Sequence, residues 1–206
     1  MPNHCTNHLQ VSGDTDEVKR FRHAITQGEL QEHEHFRILD NLLPTPDELR
    51  NTPSGSFTDE NQKIVDEQNK SNIAKFGHKD WYEWNCANYG SKWSDYEGVI
   101  ERDDAGELDL CFVSAWSPVI QGIVHVSSQF PTLEFVLTYD EGGMAFMGAC
   151  AIQDGELRIH LEEDYPDMTE DESNGDRYEQ FYDRVLAVLK DMSMLCKLEF
   201  GMGELF

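Results

Sequence analysis

Residues 97–140, EGVIERDDAGELDLCFVSAWSPVIQGIVHVSSQFPTLEFVLTYD, decide the fold. Glu97–Arg102 and Glu107–Ala115 alternate apolar with polar residues and flank the turn signal Asp103-Asp104-Ala105-Gly106, so they read as paired strands. Ser117-Pro118 reads as a helix cap followed by a first-turn proline. The helix it opens uses Val119, Ile120, Ile123 and Val124. Thr132–Asp140 alternates again, with Leu133, Phe135, Leu137 and Tyr139 on one face.

Working outward, residues 5–12 form a strand with Leu9 and Val11 on one face. Asp14, with Glu17 three residues on, caps a helix over 14–27 that carries Val18, Phe21 and Ile25. Residues 28–94 read as an irregular, mainly helical insertion. It holds a short strand at Phe36–Leu39, an extended Leu42-Leu43-Pro44-Thr45-Pro46, a thinly apolar helix over 58–75 and a short helix over 79–88. Downstream, Met144–Ile152 and Glu156–Glu162 form a hairpin across Asp154-Gly155. An acidic link leads to a helix at Tyr178–Met192, whose apolar stripe is the clearest in the chain. With the insertion set aside, the order is β-α-β-β-α-β, the split βαβ. The expected class is α+β: a ferredoxin-like antiparallel sheet extended by extra strands, with a helical insertion and a C-terminal helix. The organisation predicted is a single elaborated domain over 1–206. It comprises the insertion 28–94, the main sheet region 96–162, and the acidic link and helix 163–206.

Composition narrows the partners. Forty acidic residues against sixteen basic ones give a formal charge of -24. Direct nucleic-acid binding needs a basic footprint, and docking on an anionic membrane needs one too. The densest stretch, residues 154–183, holds twelve acids and two bases, a net of -10. A compact chain of this length is roughly 43 Å across, and duplex DNA of that length carries about 25 charges. Two readings stay open: a solvated acidic surface that keeps the protein soluble, or a surface that competes with nucleic acid for a basic protein. The cysteines Cys5, Cys86, Cys111, Cys150 and Cys196 are scattered and mostly set in apolar runs, which predicts reduced, buried thiols and a cytoplasmic protein.

Several segments resemble the YubB-like family, uncharacterised proteins of bacteriophages and conjugative plasmids. They are Met1-Pro2-Asn3-His4-Cys5-Thr6-Asn7, Leu43-Pro44-Thr45-Pro46-Asp47-Glu48-Leu49, Asp80-Trp81-Tyr82-Glu83-Trp84, Asn88-Tyr89-Gly90-Ser91-Lys92-Trp93, and Ala115-Trp116-Ser117-Pro118 with Phe130-Pro131. The family has Trp where Tyr89 stands and Thr where Ser91 stands. The resemblance implies a ferredoxin-like domain, in the sense of a shape without an iron–sulfur cluster, and it implies no activity.

The candidate sites are two. Trp81, Trp84, Asn88, Tyr89, Lys92, Trp93 and Trp116 either line a pocket for a small ligand or a partner's side chain, or pack the insertion onto the sheet. Lys92 and Asp95 are its first polar groups. Glu162, Glu163, Asp164, Asp167, Glu170, Asp171, Glu172 and Asp176 form the candidate acidic interaction surface. Their spacing does not match a calcium loop. His4, Cys5 and His8, with His33 and His35, do not complete a zinc set, because Cys5 points to the other face of its strand. No nucleophile elbow or phosphate-cradling loop is present. The expectation is therefore a binding protein with no cofactor or metal and no nominated catalytic residue. It acts as an accessory protein of a mobile element on a basic host protein, with a small-ligand binder or an enzyme built on the aromatic cluster as the alternative.

Overall fold

Alternation along His4–Ser12 (β1) buries Cys5, Asn7, Leu9 and Val11 and turns His4, Thr6, His8 and Gln10 to the opposite face. The computed structural model describes residues 3–27, 36–55 and 58–164, together with 180, 181, 183, 184 and 187. It divides into residues 1–163 and 164–206. In the first unit β1 is followed by α1 (Thr15–Thr26), α2 (Ile38–Leu42), α3 (Asp47–Arg50), α4 (Asp59–Phe76) and α5 (Trp81–Asn88). Then come β2 (Tyr96–Asp104), β3 (Glu107–Ala115), α6 (Ile120–Ser127), β4 (Glu134–Glu141), β5 (Phe146–Gln153) and β6 (Glu156–Asp164).

The six strands lie in the order β2-β3-β1-β4-β5-β6. β1 pairs antiparallel with both β3 and β4, with Leu9 opposite Leu110 and Leu137. The first four positions are the ferredoxin-like arrangement, and β5 and β6 extend it past β4, as the order of elements predicts. Asp154 and Gly155 both have positive φ, 50° and 74°, the backbone of a tight two-residue hairpin turn. Apolar residues of α1, α2 and α6 share one core with the inward face of the sheet. Phe21 anchors α1, its ring edge-on to Phe130 and Phe135 at 5.1 and 5.5 Å. Each such buried side chain contributes about 1.5–3 kcal/mol. No helix among the described residues is long and apolar enough to cross a membrane.

Local chemistry explains where the structure departs from expectation. Asp14 caps α1 as predicted, accepting from Asp16 N at 2.9 Å and from Glu17 N at 3.4 Å, while the Glu17 carboxylate pairs with Arg20 at 2.7 Å. The expected strand at Phe36–Leu39 is only a single bridge from Phe36 to Gly98, and Ile38 and Leu39 begin a helix. A carboxylate remote in sequence, Asp95, holds their N–H groups. Ser117 does not cap α6: its hydroxyl donates to the Gly90 carbonyl at 2.6 Å, and α6 starts three residues later without a side-chain cap. Cys86 is exposed, contrary to the expectation of buried thiols, because it sits on the outer side of α5 next to the inward-facing Trp84 and Asn85. Within Tyr178–Met192, residues 180, 181, 183, 184 and 187 are helical; the remainder lies outside the described residues.

Candidate functional site

α5 begins where Asp80 accepts from Glu83 N at 2.9 Å. From there Trp81, Trp84, Asn85 and Asn88 recur on one side of the helix at i, i+3, i+4 and i+7. Trp84 and Asn85 are buried, and Trp84 packs edge-on against Tyr89 at 5.3 Å. Tyr89 is fully buried and donates to the Leu43 carbonyl at 2.9 Å. Thr45 joins them: its hydroxyl donates to Asn85 Oδ1 at 2.6 Å and lies 3.0 Å from the Tyr89 oxygen. Asn85 Nδ2 donates to the Lys92 carbonyl at 3.0 Å and so ties down the segment after α5. Burial pushes the Tyr89 phenol above its ordinary value, so it stays a neutral hydrogen-bonding group.

This network is the floor of an open cleft of about 590 Å³, lined by Asp40, Thr45, Arg50, Trp81, Asn85, Tyr89, Trp93 and Ser94. The floor groups are mutually satisfied, so the chemistry on offer lies at the walls. Trp93 is 39% exposed and Lys92 Nζ rests 5.0 Å from its ring centre, a cation–π contact. Arg50 closes one side, donating to the Thr45 carbonyl at 3.3 Å and lying 3.8 Å from Asp47. Asp40 is exposed opposite a neutral floor.

The structure thus divides the predicted aromatic cluster. Trp81, Tyr89 and Trp93 come together at the cleft. Trp84 packs behind Tyr89, and Asn88 turns back to donate to the Trp84 carbonyl at 2.9 Å. Trp116 is not among the lining residues; it is 45% exposed, with φ of 71°, and its N–H donates to the Asn3 carbonyl at 3.1 Å. Lys92 serves through its carbonyl and its stacked side chain. Asp95 is not a cleft group. It is fully buried, its two carboxylate oxygens accept from Ile38 N and Leu39 N at 2.8 Å each, and burial raises its pKa. Sequence reading misses Asp40, Thr45 and Arg50 as cleft residues: it takes residues 42–46 as extended and assigns no helix over Asp47–Arg50.

Of the acidic candidates, Glu162, Glu163 and Asp164 are exposed at the end of β6. Asp167, Glu170, Asp171, Glu172 and Asp176 lie outside the described residues. Glu162 also belongs to a polar cluster: the Tyr139 hydroxyl donates to its carboxylate at 2.8 Å and lies 2.6 Å from His160 Nε2. Burial pushes Cys5 and Cys150 up to about 12 and Cys111 to about 11, so none of these three is a thiolate nucleophile near neutrality.

Residues 89–184 match the family model described as a ferredoxin-like domain in Api92-like protein. That segment supplies β2–β6, while the central β1 comes from the N-terminal end of the chain. Among solved structures, the crystal structure of a protein Api92 from Yersinia pseudotuberculosis superposes with a TM-score of 0.51 at 12% identity. The match covers 82% of this chain and 100% of that one. At such identity the likeness concerns the fold. No curated protein matches the chain.

Proposed function

We propose that this chain is a binding protein, of the accessory kind that the YubB-like resemblance places in phages and plasmids, and that it captures a basic host protein through the Trp81–Trp93 cleft. The observation that carries this reading is the convergence in one cleft of two indoles, a guanidinium and a carboxylate over a neutral floor. Trp and Arg are the side chains that dominate binding energy at protein interfaces. A small ligand is usually 70–90% buried in its site; this cleft is open to solvent and suits a side chain presented by a larger partner. A photo-cross-linking residue in place of Trp93, in cells of a host that carries the element, is expected to yield a discrete protein adduct that Arg50→Ala removes. No adduct, or the same adducts from a cross-linker at the outward-facing Tyr82, would refute the assignment.

A second reading concerns the charge. The net of -24, with Glu162, Glu163 and Asp164 all exposed at the edge strand, favours an acidic decoy that occupies a nucleic-acid groove. Duplex DNA should then displace the partner, and affinity should fall steeply with salt. A complex indifferent to both would exclude the decoy and leave the cleft reading standing.

A further inference from the structure

On the face of the sheet opposite the buried core residues of β1, His8 stands level with Cys111 of β3. The β2–β3 register then slips: Ile100 pairs with Leu110 and Arg102 with Asp109, leaving Glu101 as an extra residue. Such a bulge breaks the alternation of faces and re-aims a side chain. Arg102 takes the side of Asp109, to which it bonds at 2.9 Å, and Glu101 turns toward His8, its Oε2 3.6 Å from Nδ1. An imidazole nitrogen, a carboxylate oxygen and a thiol sulfur, from three adjacent strands, therefore lie within 4.8 Å of one another.

We propose that His8, Glu101 and Cys111 bind one divalent transition-metal ion of the zinc class, with a fourth position left to solvent. Zinc bonds of about 2.0–2.3 Å at tetrahedral angles put ligand atoms roughly 3.3–3.7 Å apart. The His8–Glu101 separation already meets that, and the sulfur needs only a side-chain adjustment. The donor set excludes the hard cations, since magnesium and calcium take oxygen, whereas imidazole with thiolate selects zinc, cobalt and copper. As anions Glu101 and Cys111 repel; a dication between them reverses that sign. His8 and Glu101 are 42% and 49% exposed, so the site opens to water, the arrangement of zinc centres that retain a labile ligand.

The test uses the full chain with Cys86 and Cys196 replaced by serine, titrated with cobalt(II) and then zinc(II). One equivalent of cobalt should give a thiolate-to-metal charge-transfer band that zinc abolishes. Cys111→Ser should remove the band, and His8→Ala and Glu101→Gln should each weaken zinc binding by at least about tenfold, the lower range for disturbing a metal site. Each variant is read separately, with circular dichroism of the metal-free protein to confirm folding, so one that misfolds leaves the other two to decide. No band, a band that survives Cys111→Ser, or zinc affinity unchanged in the folded variants overturns the proposal and leaves an ordinary surface contact between His8 and Glu101.

Discussion

Gly148→Ala is the perturbation whose cost follows most directly from the structure. Gly148 lies opposite Tyr139 in the β4–β5 ladder, and the phenol crosses β5 over it to reach β6. A Cβ added at 148 would stand 2.2 Å from Tyr139 Cζ and Oη, whereas carbon contacts settle near about 3.5–4.0 Å. The ring must therefore move by more than about an ångström, which breaks the bonds to Glu162 at 2.8 Å and His160 at 2.6 Å. A hydrogen bond to a charged carboxylate is worth roughly 1.5–3 kcal/mol and a neutral one roughly 0.5–1.5. Overpacking adds about 1–3 kcal/mol, and replacing glycine in a strand returns about 0.5–1. The expected loss is about 3–5 kcal/mol by urea denaturation, with faster hydrogen exchange in β6. Tyr139→Phe, which removes the hydroxyl alone, should cost about 1–3 kcal/mol. In a Tyr139→Leu background the alanine should cost little, because the atoms it strikes are gone. A Gly148→Ala protein within about 1 kcal/mol of the parent would refute the placement of the phenol over β5.

Asp95→Ala leaves two buried N–H groups of α2 without acceptors, at about 1–3 kcal/mol each, less the relief of a buried carboxylate; a net loss of about 2–4 kcal/mol by denaturant unfolding is expected. Thr45→Val keeps the shape of the cleft floor and removes the hydroxyl shared by Asn85 and Tyr89, for an expected loss of about 1–3 kcal/mol in the same assay. The thiols of Cys5 and Cys150 are raised from 9.0 to about 12. Groups with raised folded pKa values stabilise fully below the unfolded value and lose that contribution as pH rises through the folded one. Stability should therefore hold to about pH 9 and fall above it by about 1.4 kcal/mol per pH unit for each thiol. Replacing both cysteines with alanine should flatten that limb in urea titrations at pH 9–11, and an unchanged slope would refute the assignment.

How much the sequence discloses depends on how far the deciding partner lies along the chain. β3 runs over the residues expected, because alternation and a Gly106 turn are local, and the Asp154-Gly155 hairpin is legible for the same reason. α2 was not legible, since apolar Phe36-Arg37-Ile38-Leu39 resembles a strand until Asp95, 57 residues from Ile38, is brought under the first helical N–H groups. The division of the aromatic cluster follows from position along α5: Trp81 and Trp84 share one side of the helix, but Trp84 packs on the buried Tyr89 while Trp81, at the first residue, lines the cleft. The wall groups Asp40 and Arg50 come from α2 and α3, a helix misread and a helix unexpected. The His8–Glu101–Cys111 group depends on which strands lie side by side and in what register, which the periodicity of each strand alone cannot supply.

If the protein captures a basic partner as proposed, the charge and the cleft act on different parts of that encounter. A field from a net -24 acts over about a Debye length, 8 Å at physiological salt, and so governs how fast a basic partner arrives. It fixes no register, because a field of that range does not depend on the placement of any one exposed carboxylate. Residence requires desolvated contact, and the cleft supplies it. Its hydroxyls and amide are spent on one another, so a visiting polar group finds little to bond on the floor. What remains is indole surface, with a carboxylate at Asp40 and a guanidinium at Arg50 on the walls. The Trp93 ring already carries the ammonium of Lys92 at 5.0 Å, a geometry a partner's arginine can adopt by displacing it. On the proposed reading, a flat cation fits the cleft better than a carboxylate or an apolar chain, and it is the group that the protein's own field draws in.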